Sequence, residues 1–486
     1  MKMGAETTSS AAVQALGNSD DDGTDSELHT FEVSFDEAGI RRRKSSLVAS
    51  TRPQGRHPQH LTNCFVHQLL GEFGEEGNRT PIVDLPSASQ IIDKMPLEPL
   101  NQHAPTQSRL LTKQQLSDMS LGIRELSKKL AHMKLKPKVR NIFLLTKIHD
   151  DTLVEHTREL SEWLLKSSPA YNVYVEDSYE HNPLYNYQEI LASDPSFTGR
   201  LRFWDVELCR KKPQTFDIVI ALGGDGTVLY ASWLFQRVVP PVLSFAMGSL
   251  GFLTKFDFQG YQETLTRMFN DGFLANVRLR LEVTVMRSQR PNKKRDLVEE
   301  LIGEECEDDT THRPGETYNI LNEVVIDRGP NPTMSTIEVF GDNEHFTTMQ
   351  ADGICVATPT GSTAYNMAAG GSLCHPDNPI ILLTAICAHT LSFRPVILPD
   401  TMVLRVGVPY DARTGSWASF DGRKRVELHP GDYVTISASR YPFPSVLPLD
   451  RKKDAWIDSL SRTLNWNSRQ RQKAWVEGGK ADGAQP

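Results

Sequence analysis

Cysteine is scarce: the 486 residues hold six (Cys64, Cys209, Cys306, Cys355, Cys374, Cys387), and no two form a C-x-x-C pair. That excludes a disulfide framework and a structural zinc site, which need clustered thiols, and it fits a reducing compartment. Long apolar runs are also missing. The longest, residues 380–388 with Thr384 inside it, is far below the roughly 20 residues that cross a bilayer. Nor is there a positive excess. Lys plus Arg number 53 against 61 Asp plus Glu, a net charge of −8, the wrong sign for a protein that grips nucleic acid by its phosphates. The first 25 residues carry Asp20, Asp21 and Asp22 and no apolar segment, so neither a secretory signal nor an Arg-rich mitochondrial presequence is expected. A cytoplasmic location follows, with neither membrane nor nucleic acid as partner.

Several catalytic signatures are absent too. The chain contains no G-x-x-x-x-G-K-[ST], no H-E-x-x-H and no serine nucleophile elbow with ordered triad partners. What is present divides along the chain. Residues 1–105 are rich in Ser, Thr, Asp, Glu, Pro and Gly without sustained periodicity, a composition that buries too little apolar area to offset the entropy of ordering; a disordered tail is expected. Within it, Arg41-Arg42-Arg43-Lys44-Ser45-Ser46 fits a basophilic protein-kinase site, though a solvated charge cluster is the simpler reading.

From residue 110 to 135, Leu121, Ile123, Leu126 and Leu130 stand at helical spacing. A β-α-β rhythm follows: an apolar run at 139–146, Asp151 as N-cap of a helix with Leu153, Leu160 and Leu164 on one side, and a second run at 171–175. Residues 216–222 are almost continuously apolar, as in a parallel strand buried on both faces. Beyond Arg278 the segments turn short, alternating and β-branched (281–285, 322–327, 336–340, 403–408), which predicts an all-β half. The polar, acidic stretch 287–316 reads as a surface insertion in a hairpin, 439–448 as loop, and 454–466 as a short closing helix.

Gly223-Gly224-Asp225-Gly226-Thr227 stands where the buried strand gives way to a helix, the crevice position at which open α/β sheets bind ligands. Glycines let backbone N–H groups approach a bulky anion, and a helix N-terminus adds favourable field. A carboxylate among such donors would repel phosphate, so Asp225 suggests contact with a hydroxyl or a metal; the alternative is a helix cap. The loop is not the dinucleotide fingerprint, because Leu229 occupies the place of its third glycine. A second cluster, Gln350-Ala351-Asp352-Gly353 and then Thr358 to Asn366, masses hydroxyls and amides around Tyr365, either as a ligand surface or as a set of β-turns. Asn322-Glu323 opens a strand, His389 and Arg394-Pro395 follow, and Asp421-Gly422-Arg423 completes the polar candidates.

In this order, Gly223 to Thr227, Gly248-Ser249-Leu250-Gly251-Phe252-Leu253, Asn322-Glu323, Asp352-Gly353 leading into Thr358 to Tyr365, His389 to Pro395 and Phe420-Asp421-Gly422 resemble the NAD kinases, and most closely the eukaryotic cytosolic type. The first motif alone is shared with lipid kinases and phosphofructokinase-like enzymes. The resemblance, over about 136–466, implies an α/β nucleotide-binding domain (106–275), an all-β sandwich-like domain (276–438) and a segment returning to the first domain (439–466); the remainder (467–486), with Gly478, Gly479 and Pro486, is expected to be frayed. It implies transfer of the ATP γ-phosphate, with Mg²⁺ accompanying ATP, to the 2′-hydroxyl of the adenosine ribose of NAD, with homo-oligomers completing the site. Carried over residue by residue, Asp225 accepts the hydroxyl proton; Gly223, Gly224, Gly226 and Thr227 line ATP; and Asp225, Gly226, Asn322, Glu323, Asp352, Thr363, Ala364, Tyr365 and Asn366 hold NAD. No protein metal ligand is assigned. Several bacterial members have arginine where this chain has Gln350, so NADH is a substrate to consider beside NAD. A lipid kinase sharing the first motif and a catalytically silent NAD sensor are the alternatives.

Overall fold

The computed structural model describes residues 83–85, 107–132, 134–147, 150–289, 295–302, 311–449 and 455–466. Ser45, Ser46 and the 467–486 end lie outside these residues, as does nearly all of the stretch expected to be a tail. Of that stretch Val83–Leu85 is described, and it is a strand paired in parallel with Leu135–Pro137.

The first domain is a doubly wound α/β layer. Its sheet runs Leu201–Trp204, Asn172–Glu176, Asn141–Thr146, Ile218–Gly223, Val242–Ala246, Phe443–Leu447, Leu274–Arg278, with Phe256–Asp257 beside Val242–Ala246. The first six are parallel neighbours in turn, and Leu274–Arg278 runs antiparallel at the edge. The central strands are apolar at nearly every position because helices cover both faces. Chain order reverses between Asn141–Thr146 and Ile218–Gly223, which opens a crevice beyond their carboxyl ends.

Several local expectations are corrected. In helix Lys113–His132 the buried stripe is Leu116, Ser120, Ile123, Leu126 and Leu130, while Leu121 faces out; Leu121 lies off the face that packs on the sheet. Asp151 makes no side-chain cap bond to helix Thr152–Ser167; instead Asp150 accepts from the Thr152 hydroxyl at 2.5 Å. Residues 439–448 are not all loop: Phe443–Leu447 is a fully buried strand of the first sheet. Its apolar residues are few and flanked by Pro and Ser, so tertiary pairing rather than local pattern makes it a strand.

The second domain is a network of eleven strands branched at Glu344–Ala357. That strand pairs first with Ser335–Gly341, then with Glu323–Asp327 on one side and Ile380–Ala388 on the other. The network folds around one core that includes Val283, Ile326, Val339, Ile354, Val406, Phe420 and Ile436. The acidic insertion lies between the antiparallel strands Leu281–Ser288 and His312–Ile320. Its described part is a helix, Leu297–Ile302, whose Leu297 and Leu301 are buried against Met286, Phe340, Tyr410 and Tyr433. A purely solvated loop would not bury these leucines.

Candidate active site

Strand Ile218–Gly223 ends at the crevice, and helix Asp225–Leu234 starts after a single intervening residue. Gly223 is required twice over. Its φ is +156°, and a Cβ there would stand 2.2 Å from Thr227 Oγ1. Gly224 is the N-cap and Asp225 the first helical residue, so Asp225 does not cap the helix. Gly224 and Gly226 are exposed, Asp225 is half-buried, and Thr227 is buried.

The Asp225 carboxylate turns toward the 248–254 segment. Oδ1 accepts from Leu253 N (3.0 Å), Thr254 N (3.1 Å) and Thr254 Oγ1 (3.3 Å); Oδ2 accepts from Phe252 N (2.8 Å). Gly251 makes this possible, since a Cβ at that residue would lie 2.2 Å from Asp225 Oδ1. A carboxylate offers about four lone pairs. Three donors fill Oδ1, whereas Oδ2 has one protein donor and can accept another. The closing helix Ala455–Leu464 braces the clamp from behind, through Ser459 Oγ donating to Gly251 O at 3.2 Å.

The second domain supplies the opposite wall. Leu321 packs in the same apolar cluster as Val228 and Leu253, which brings Asn322 and Glu323 to the crevice. Buried Asp421, held at φ +47°, accepts from the N–H groups of Leu321 (2.8 Å), Asn322 (2.8 Å) and Glu323 (3.1 Å). Thr358 N donates to Asn322 O at 2.8 Å, and Gly361 lies so close that a Cβ would stand 2.3 Å from that oxygen. Two buried oxygens are left without a partner, Asn322 Oδ1 and Glu323 Oε2. Such atoms are costly unless a ligand supplies the missing bond. Burial, joined by the Asp421 charge, pushes the Glu323 carboxyl up to about 8, so at neutral pH it is mostly protonated and can donate.

The remaining sequence candidates divide. Thr363 and Ala364 are half-buried and Tyr365 is 46% exposed, with its ring free to face a ligand. Asn366 is fully buried, and its amide is spent internally on Ser362 O, Ser372 O and Thr384 Oγ1. Asp352 does not reach Glu323 within one chain. Glu323 pairs with Ala357, five residues along the strand from Asp352, roughly 17 Å at ~3.4 Å per residue. Asp352 instead forms an ion pair with Arg328 at 2.9 Å, and Gln350, His389 and Arg394 are exposed. Among the described residues no three His, Cys, Asp or Glu side chains converge on a metal position.

Sequence reasoning missed the amide clamp of Phe252, Leu253 and Thr254, because backbone donors carry no side-chain signature. It also missed Arg280, which is fully buried and donates to Ser232 O (3.2 Å), Phe235 O (2.8 Å) and Arg237 O (3.1 Å) at the carboxyl end of the helix that starts with Asp225. A cation there complements the helix dipole.

Residues 142–273 match the ATP-NAD kinase N-terminal domain and residues 321–447 the ATP-NAD kinase C-terminal domain. The chain is 44% identical to an NAD(+) kinase of Saccharomyces cerevisiae, over 74% of this chain and 66%, just under two thirds, of that one. It is 41% identical to an ATP-NADH kinase of the same yeast, over 74% of this chain and 70% of that one. Among solved structures, yeast NADH kinase complexed with NADH superposes with a TM-score of 0.59 at 28% identity, covering 69% of this chain and 90% of that chain. With both domain types in sequence, the crevice between them and this degree of identity, the chain belongs to the NAD kinase family, the enzymes that phosphorylate NAD(H) to NADP(H) with ATP.

Proposed function

We propose that Asp225 orients the 2′-hydroxyl of the adenosine ribose of NAD or NADH through Oδ2 and takes its proton as the γ-phosphoryl group of ATP arrives. The observation that carries this is the unfilled capacity of Oδ2 in a carboxylate otherwise pinned by three amides at a helix N-terminus. Phosphoryl transfer passes through a loose transition state, so the attacking oxygen needs alignment more than early deprotonation. With Gly224 and Gly226 exposed, the N–H groups of Asp225 and Gly226 can meet phosphate oxygens, while Gly223 and Thr227, whose N–H donates to Gly224 O, shape the turn beneath them. Mg²⁺ enters on the ATP phosphates and neutralises their charge.

On the opposite wall, the unpartnered Asn322 Oδ1 suits an exocyclic amine of a purine, and the protonated Glu323 beside it suits a ring nitrogen or hydroxyl. Tyr365 gives a stacking face, flanked by Thr363 and Ala364. Asn366 shapes this wall from within. Asp352 serves a site completed by a second subunit, a reading supported by its distance from Glu323 and by the exposed apolar side chains of Val396 and Ile397 on an edge strand and of Leu391 in the turn before it. The scarcity of cysteine, six in 486 residues with no C-x-x-C pair, supports a reducing, cytoplasmic setting.

The test is label transfer from γ-labelled ATP with Mg²⁺, offering NAD, NADH or a diacylglycerol. Label is expected on the ribose 2′-position of the dinucleotide. Asp225→Asn is expected to lower that rate by about 10²–10⁴-fold, the usual worth of a positioned acid or base. Labelled lipid, or full turnover by Asp225→Asn, would overturn the assignment.

A further inference from the structure

The turn Asp421-Gly422-Arg423 touches both walls of the crevice. Its first residue grips the dinucleotide wall: Asp421 holds the N–H groups of Leu321, Asn322 and Glu323 and adopts φ +47° to do so. A non-glycine residue in that region is uncommon and persists where its surroundings over-determine it. Gly422 follows at φ +66°, where only glycine is unstrained. Arg423 then crosses to the first domain. Its guanidinium lies 4.2 Å from the centroid of the Tyr230 ring, and Nη2 donates to Gly226 O at 3.3 Å.

We infer that Arg423 is a positioning residue, which fixes the phosphate loop and the Asp225 helix relative to the dinucleotide wall. Three features support the role. Gly226 lies next to Asp225 in the chain, so a hydrogen bond to its carbonyl acts on the first helical turn. Tyr230 lies on that same helix, so the guanidinium grips two points four residues apart. Arg280 already holds the far end of the helix. With an arginine of the β-rich domain at each end, the helix keeps its register to that domain. The consequence falls on alignment between hydroxyl and phosphorus, where a displacement of about 1 Å costs on the order of 10²-fold in rate. Arg423 acts through the loop and helix it holds.

The inference rests on the assignment of Asp225, and the two are separable. In the full-length protein, Arg423→Ala is expected to lower kcat at least tenfold while the dissociation constant for NAD, measured by calorimetry, changes less than threefold. Arg423→Lys keeps a cation over the ring but loses the planar fork, and is expected to recover part of kcat. Tyr230→Leu is expected to lower kcat as Arg423→Ala does, and the double variant to be no worse than either single variant. Melting temperatures of the variants show whether each is folded. Wild-type kcat in folded Arg423→Ala, or fully additive losses in the double variant, would overturn the inference. Full activity of Asp225→Asn would instead overturn the site assignment and leave the Arg423 measurements to stand alone.

Discussion

At the residue scale, Glu323 links binding to stability. Its carboxyl sits at about 8 in the folded protein, raised from 4.5 first by burial and then by Asp421. Between these values the folded chain keeps the proton and the unfolded chain releases it, so the stabilising contribution is complete below about pH 4.5 and is lost as pH rises through about 8. The slope from this group approaches ~1.4 kcal/mol per pH unit at most. Glu323→Gln, isosteric with the protonated acid, should flatten the decline in urea midpoint from pH 5 to 8 and be the more stable protein at the alkaline end. Parallel curves for the two proteins would contradict this. The neighbouring residues divide by what the chain itself reveals. Asp225 stands out because a carboxylate is anomalous in a phosphate-approaching loop, whereas the donors that clamp it are main-chain N–H groups of Phe252, Leu253 and Thr254 and any residue type carries those.

At the element scale, the clamp depends on an absent side chain. A Cβ on Gly251 would meet the Asp225 carboxylate at 2.2 Å from Oδ1, far inside contact distance, and the obstruction is a hydrogen-bonded group rather than a flexible tip. Gly251→Ala should therefore swing the carboxylate out of its amide cradle and lower NADP formation by at least tenfold, while leaving the sheet intact by far-ultraviolet dichroism. Wild-type turnover in a folded Gly251→Ala protein would show that the clamp is dispensable. The Gly248 to Leu253 segment was legible as a motif, but its purpose was not, because the motif and Asp225 meet only when strand Val242–Ala246 lies beside Ile218–Gly223. Helix Lys113–His132 shows the same limit. Its period was readable, yet the choice between Leu116 and Leu121 for the buried stripe was made by the strand Leu274–Arg278 and the β-rich domain it packs against.

At the scale of the whole molecule, the described residues leave an apolar edge uncovered. Among them Val396–Pro399 pairs on one side only, with Ile380–Ala388, and nearby Leu391 is 86% exposed and Ile397 56%. Sedimentation of the purified protein should show an oligomer, and Ile397→Asp should shift it toward monomer with a parallel loss of NADP formation; a fully active monomer would remove the need for a second subunit at Asp352. The division into an α/β half and a β half, the strand that delivers the glycine loop, and the family were determined by the sequence, because each is written in local apolar period and in residues adjacent along the chain. Tertiary structure alone decided that Phe443–Leu447 joins the first sheet, that Asp352 and Glu323 stand apart, and that Arg280 and Arg423 hold opposite ends of one helix. These depend on pairing and burial between segments tens to hundreds of residues apart, where the free energy comes from contacts that no single segment contains.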